Sequence, residues 1–204
     1  MAETKGAQSM RIFLTLLAIC AIPIASLAQQ PPKSLNVHIL DYCDPTTFNE
    51  AVGDGTCVRD TTSGFLTFNG FANEATTEKS VGAWRFTPPT KAIVKRDGTL
   101  EIDNLGGELH TFTEVKKFGG GFVDFLNQAT GNLEPAPECA QVVNGQLVPQ
   151  PASDDNLFIA PGAHASHKLD HDETFVHYQC CVHPWMRITI QTDRGKPDEH
   201  KLQQ

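Results

Sequence analysis

Apolar and polar residues alternate along several short stretches of this chain. Leu35, Val37 and Ile39 share one side of a two-residue period, as do Trp84 and Phe86, and then Leu100 and Ile102. That spacing predicts strands with one buried face. Asp97-Gly98 separates Ala92-Ile-Val-Lys-Arg from Thr99-Leu-Glu-Ile-Asp, and Asp-Gly between two such runs predicts a hairpin. Further strand-like runs begin at His110, Asn156, Ser166, Thr174 and Arg187. Many short strands with turns between them indicate an all-β chain folded as a sandwich.

Two stretches break the alternation. Across residues 42–80, Phe65, Phe68 and Phe71 recur every three positions, which fits a short helix laid on a sheet, although Gly70 weakens it. Residues 117–153 are rich in Gly, Pro, Asn and Gln and are expected to form an inserted flap holding one short helix. Gly119-Gly-Gly121 reads as a flexible turn. No Lys-Ser/Thr pair follows to make it a phosphate cradle.

At 204 residues the chain needs only one core. Arg11, the apolar run from Ile12 to Leu27, and Ser26-Leu27-Ala28 describe a secretory signal over 1–28. An uncleaved anchor is the alternative, and Ile19 before Cys20 argues against a lipoprotein site. The expected layout is then an N-terminal strand and disulfide-containing extension over 29–80, the main domain over 81–194, and a polar tail over 195–204. Without Glu3, Lys5 and Arg11, 23 acidic and 14 basic side chains leave a net charge of −9. That charge disfavours nucleic acid and anionic lipid as partners.

Loss of Cys20 leaves five cysteines, an odd number that singles out one thiol for a separate task. The other four suffice for two disulfides in a periplasmic or extracellular compartment. Three pairings are open. Cys43 and Cys57 bracket one loop and form the natural local pair, which would leave Cys139 for Cys181.

The candidate chemistry lies in Tyr178-Gln-Cys-Cys-Val-His-Pro-Trp-Met186. Alternation puts Val176, Tyr178 and Cys180 on one face and turns Cys181 outward, while Pro184 stiffens the loop beyond. A thiolate, an imidazole and a thioether at C-x2-H-x2-M spacing are soft ligands. With His110 as second imidazole, Cys180, His183 and Met186 complete a His2Cys set with a weak axial Met, which suits copper. A zinc site built from His164, His167, His171, Cys180, Cys181 and His183 would leave Met186 idle and lacks C-x2-C spacing. Those three outlying histidines, with His177, read as solvated strand and turn residues. No Ser-His-Asp, H-E-x-x-H or nucleotide-loop pattern occurs, so neither catalysis nor a small-molecule substrate is expected.

The loop from Tyr178 to Arg187 resembles the C-terminal ligand loop of the cupredoxins, in its amicyanin-type form Cys-x-x-His-Pro-aromatic-Met-Arg. Asn104-Leu-Gly-Gly-Glu-Leu-His is similar to the segment carrying that family's first ligand, and Trp84-Arg-Phe-Thr-Pro-Pro to the strand leading there. The resemblance spans about residues 81–194. It implies a Greek-key β-sandwich holding one mononuclear copper ion, with His110, Cys180 and His183 equatorial and Met186 axial. It further implies one-electron transfer without enzymatic turnover, or alternatively copper carriage. His183 would be the electron's entry and exit edge, rimmed by Pro184 and Trp185, for a transient soluble or membrane-attached redox protein. Two positions depart from the pattern. Thr111 replaces an Asn and would bond the neighbouring loop through its hydroxyl. Cys181 stands where Ser, Thr or Pro is usual.

Overall fold

The structure is a computed structural model that describes residues 30–59, 65–88, 91–169 and 173–193. The expected leader over 1–28, His171 and the tail over 195–204 lie outside the described residues. Among those described, no helix is long and apolar enough to cross a membrane.

In chain order the elements are β1 (Ser34–Leu40), α1 (Pro45–Val52), α2 (Phe68–Glu78), β2 (Arg85–Thr87), β3 (Lys91–Lys95), β4 (Thr99–Asn104) and β5 (His110–Val115). Then come α3 (Asp124–Thr130), β6 (Ala140–Val143), β7 (Gln146–Pro149), β8 (Asn156–Ile159), β9 (His164–Lys168), β10 (Phe175–Gln179) and β11 (Arg187–Asp193). The strands make a four-stranded sheet in the order β2-β1-β4-β9, a five-stranded sheet in the order β3-β11-β10-β5-β8, and a separate β6-β7 ribbon. The two large sheets pack face to face. Val37, Ile39, Leu100 and Ile102 from one meet Phe112, Tyr178, Ile188 and Ile190 from the other. Phe112 stacks on Tyr178 with ring centroids 4.4 Å apart, and Phe86 crosses from the opposite sheet to meet it edge-on. The all-β sandwich is therefore as expected.

The Asp97-Gly98 hairpin is not. β3 lies parallel to β11 in one sheet, whereas β4 lies between β1 and β9 in the other. The turn carries the chain from sheet to sheet, and both flanking runs find better partners far away. Asp97 takes a positive φ of 60° there. Local turn chemistry predicts a reversal, and the pairing partners decide what it joins.

The 42–80 segment holds two helices. Asp44 caps α1 by accepting from the Thr47 amide, with Pro45 in the first turn. Thr67 caps α2. Phe48, Phe71 and Ala75 are buried against Trp84, which outweighs the roughly 1 kcal/mol helix cost of Gly70. Phe65 precedes α2 and lies under the Arg59 guanidinium.

The flap contains the expected short helix, α3, and also an antiparallel β6-β7 ribbon. Asn144-Gly145 between Val142-Val143 and Leu147-Val148 is its hairpin signal. Gly119-Gly-Gly121 is no flexible turn. A Cβ on Gly121 would sit 1.7 Å from the Cys181 carbonyl oxygen, so glycine is required by close packing on the ligand loop.

Disulfides join Cys43 to Cys57 and Cys139 to Cys181, leaving Cys180 as the free, buried thiol. Cys181 does turn away from the main core, but the flap covers it in a second cluster with Val115, Ala136 and Cys139. Replacing Cys43 and Cys57 together with serine reopens a loop with a sequence separation of 14. It is expected to cost about 3 kcal/mol, read as a lower urea midpoint.

Candidate metal centre

Three backbone segments meet at one end of the sandwich. β4 ends in Asn104, whose side-chain amide donates to the Glu108 and Ile159 carbonyls while its oxygen accepts from the Gly106 amide. This ties the loop that delivers His110, the first residue of β5. β10 runs into Cys180, and a tight turn follows. The Met186 amide donates to the His183 carbonyl at 2.9 Å, and the Cys180 amide to the Met186 carbonyl at 3.0 Å. β11 then begins. Thr111 accepts from the Cys181 amide at 2.7 Å, so its hydroxyl does lock the two loops together.

His110, Cys180 and His183 each present a ligand atom, and these atoms lie within 4.8 Å of one another. The Cys180 Sγ stands 3.6 Å from His110 Nδ1 and 3.8 Å from His183 Nδ1. The Thr111 and His183 amides point at the same sulfur, each at 3.4 Å. Met186 is buried beside them in the same turn.

Sequence reasoning missed the carboxylates behind both imidazoles. Asp41, one residue beyond β1 and fully enclosed, stands 2.9 Å from His110 Nε2 and accepts from the Gly107 and Glu108 amides. Gly106 permits this, since a Cβ there would fall 1.9 Å from the Asp41 carboxylate. Glu108 accepts from the Trp84 indole at 2.5 Å and lies 3.6 Å from His183 Nε2. The Gly-Gly-Glu sequence before His110 was the available signal for a crowded, acidic approach. Asp41, 69 residues from its partner, had none.

Both rings therefore turn Nδ1 toward sulfur and Nε2 toward a carboxylate. A carboxylate or carbonyl behind the ring is the usual support of a metal-ligating histidine, because it fixes tautomer and orientation. The donor set fits copper: one soft thiol, two imidazoles and a nearby thioether. Cys180 itself has no exposed surface.

One expectation fails. His183 is 2 % exposed, not an open edge. Phe71 from α2, Trp84 and Trp185 surround its ring at centroid distances of 6.1, 6.3 and 5.4 Å. Phe71 is what the aromatic period in 42–80 contributes to this cover, and Pro184 is buried too. Trp185 remains half-buried, its indole donating to the Val81 carbonyl. A second reading also changes. His167 is 6 % exposed rather than solvated, because β9 turns it inward.

Protonation follows from this packing. Burial alone would lower the His110 pKa from 6.5, but hydrogen bonds to Asp41 and Cys180 raise it to about 10. Burial alone would raise Cys180, but the two imidazoles hold the thiol well below its ordinary 9.0. Asp41 lies below 3.8, its burial overridden by His110 and the two amides. In the metal-free protein His110 then contributes stability that is present below pH 6.5 and lost as pH rises through about 10. Cys180 acts in the opposite sense, its contribution complete above 9.0 and lost as pH falls toward its depressed value. Between 6.5 and 9.0 the two cancel, since the folded chain holds on His110 the proton that the unfolded chain holds on Cys180. Urea midpoints should form a plateau across that window, falling on the alkaline side through about 10 and again in acid below 6.5. A steady decline beginning at 6.5 would exclude the thiolate–imidazolium pair.

No protein-family model matches the sequence, and no curated protein matches it. Among solved structures the chain is similar to a novel purple cupredoxin from Nitrosopumilus maritimus, at 14 % identity over 58 % of this chain and 93 % of that one, with a TM-score of 0.33. It is similar to auracyanin from Roseiflexus castenholzii, at 12 % identity over 53 % and 87 % of the two chains, with a TM-score of 0.33. It also resembles a blue copper oxidase from Nitrosomonas europaea, at 12 % identity over 83 % of this chain but 41 % of that one, with a TM-score of 0.34.

Proposed function

We propose that this chain is an exported copper protein that passes single electrons to and from a protein partner, using one ion held by His110, Cys180, His183 and Met186. The observation that carries this reading is the enclosed cluster of two imidazole Nδ1 atoms around one unoxidised thiol. Copper bound there would supply one-electron chemistry by cycling between Cu(I) and Cu(II).

The chain's own residues do the rest. Two backbone amides aimed at the Cys180 sulfur stabilise it as a thiolate. Asp41 fixes His110 in the tautomer that leaves Nδ1 for the metal. The Thr111–Cys181 hydrogen bond and the half-buried Arg187 links to Pro184, Gly119 and Asn132 hold the ligand loop against the rest of the fold. A site held this firmly changes little between oxidation states, which keeps the barrier to electron transfer low. Export is supported by the two disulfides, which persist in oxidising compartments. The partner would meet the centre through Trp185, the half-buried ring in contact with His183, in a small and transient encounter. Copper carriage is the weaker alternative, since α2 and three aromatic rings would have to move before the ion could leave.

Adding Cu(II) to the protein should give an intense visible thiolate band and the matching paramagnetic resonance signal, both absent in Cys180→Ser. A colourless wild type overturns the reading. Phe71→Ala should weaken the fold by about 3–5 kcal/mol and speed the removal of copper by a chelator. Fast copper loss from the wild type itself would favour the carrier.

A further inference from the structure

Along β5, about 13 Å from His110 at the usual strand rise, Glu114 faces a second cluster. Ligand atoms of Glu114, Asp155 and His167 lie within 4.8 Å of one another. His167 projects from β9, the edge strand of the four-stranded sheet, and Asp155 directly precedes β8, the edge of the other. The cluster therefore bridges the two sheets at one open side of the sandwich.

His167 Nδ1 lies 2.9 Å from the Asp154 carbonyl. A carbonyl only accepts, so Nδ1 bears a hydrogen, and Nε2 faces the acids. That Nε2 is sealed from solvent and has no hydrogen-bond partner. The nearest Glu114 oxygen, at 3.9 Å, is beyond hydrogen-bond reach. A buried polar atom left this way is costly and calls for an explanation. The acids are braced around it. The Tyr178 hydroxyl donates to Glu114 at 3.2 Å, and the Glu114 amide bonds the Asp155 carbonyl at 2.8 Å.

We propose that Glu114, Asp155 and His167 bind a divalent first-row transition cation, a second metal site separate from the cysteine centre. One imidazole nitrogen and two carboxylates suit such an ion. The histidine already has the arrangement of a ligand, its far nitrogen donating to a backbone carbonyl. The 3.9 Å between His167 Nε2 and Glu114 exceeds the roughly 3.4 Å between donors around a tetrahedral ion with bonds of about 2.0–2.2 Å. Asp155 is exposed, and its side chain can swing to close the gap. The simpler alternative is an ion pair between protonated His167 and the two acids.

The test is equilibrium dialysis of the copper-loaded protein against Zn²⁺, with metal content measured per chain. Wild type should retain one Zn²⁺ beyond the copper. His167→Gln and Asp155→Asn should each lose it with the visible band unchanged. His164→Ala should retain it, although His164 contacts Glu101 and Asp103 on the outer face. Because Asp155 is exposed, its variant keeps the test valid should His167→Gln fold poorly. No extra Zn²⁺ in the wild type, or as much in both variants as in the wild type, overturns the site and leaves the ion pair. Should the cysteine centre take zinc instead of copper, wild type would still exceed His167→Gln by one ion, so the two ideas fail separately.

Discussion

A thiol shut away from water can be ionised only by what surrounds it, and the end of this sandwich is organised around that constraint. Cys180 has no exposed surface, so its burial opposes the thiolate. Two imidazoles and two amides within 3.8 Å reverse that preference. The imidazoles in turn need something behind them, and Asp41 and Glu108 stand there. Asp41 needs room, which Gly106 leaves by having no side chain. Each shell is held by the next, out to the Cys43–Cys57 disulfide just beyond Asp41.

This nesting explains which parts were legible in the sequence. The inner set was, because C-x2-H-x2-M is a contiguous spacing and strand alternation told Cys180 from Cys181. His110 was legible through the Asn104-Leu-Gly-Gly approach that ends β4. The outer set was not. Asp41 reaches His110 only because β1 lies beside β4 in parallel register, Ile39 opposite Asn104, and no local pattern encodes that pairing. Asp97-Gly98 teaches the same lesson in reverse. The dipeptide does form a turn, but not the predicted hairpin, because its flanking strands are sorted into different sheets by partners over sixty positions away in sequence. The β6-β7 ribbon had a plain Asn-Gly signal, obscured by the polar composition around it.

The insertions prove to be parts of the centre. The 42–80 segment supplies Phe71, one of the three rings around His183, and the flap supplies Gly121, packed on Cys181. Gln179 and Arg187 tie the flap to both strands that carry the ligand loop. Cys181 belongs to this arrangement. Its outward position, set by alternation, would expose a second sulfur beside the first, and the flap's Cys139 captures it. A free dithiol at that point would offer a competing soft ligand, so the disulfide also protects the identity of the donor set.

Covering His183 changes how a partner must be met. An exposed imidazole edge would let an electron leave through one ligand directly, whereas in the role proposed here the path would cross a ring. Trp185 is the one ring of the three around His183 that is half-exposed while in contact with it. Phe71 and Trp84 are 2 % and 1 % exposed and belong to the core. Lengthening the path by one aromatic side chain slows tunnelling, but it keeps water from both the thiolate and the Glu108 carboxyl, which burial pushes up despite the opposing charge of His183. Water reaching Glu108 would relieve that burial and favour negative charge 3.6 Å from His183. In the proposed role the cap, to which 42–80 contributes Phe71, would therefore influence the potential of the site as well as its access.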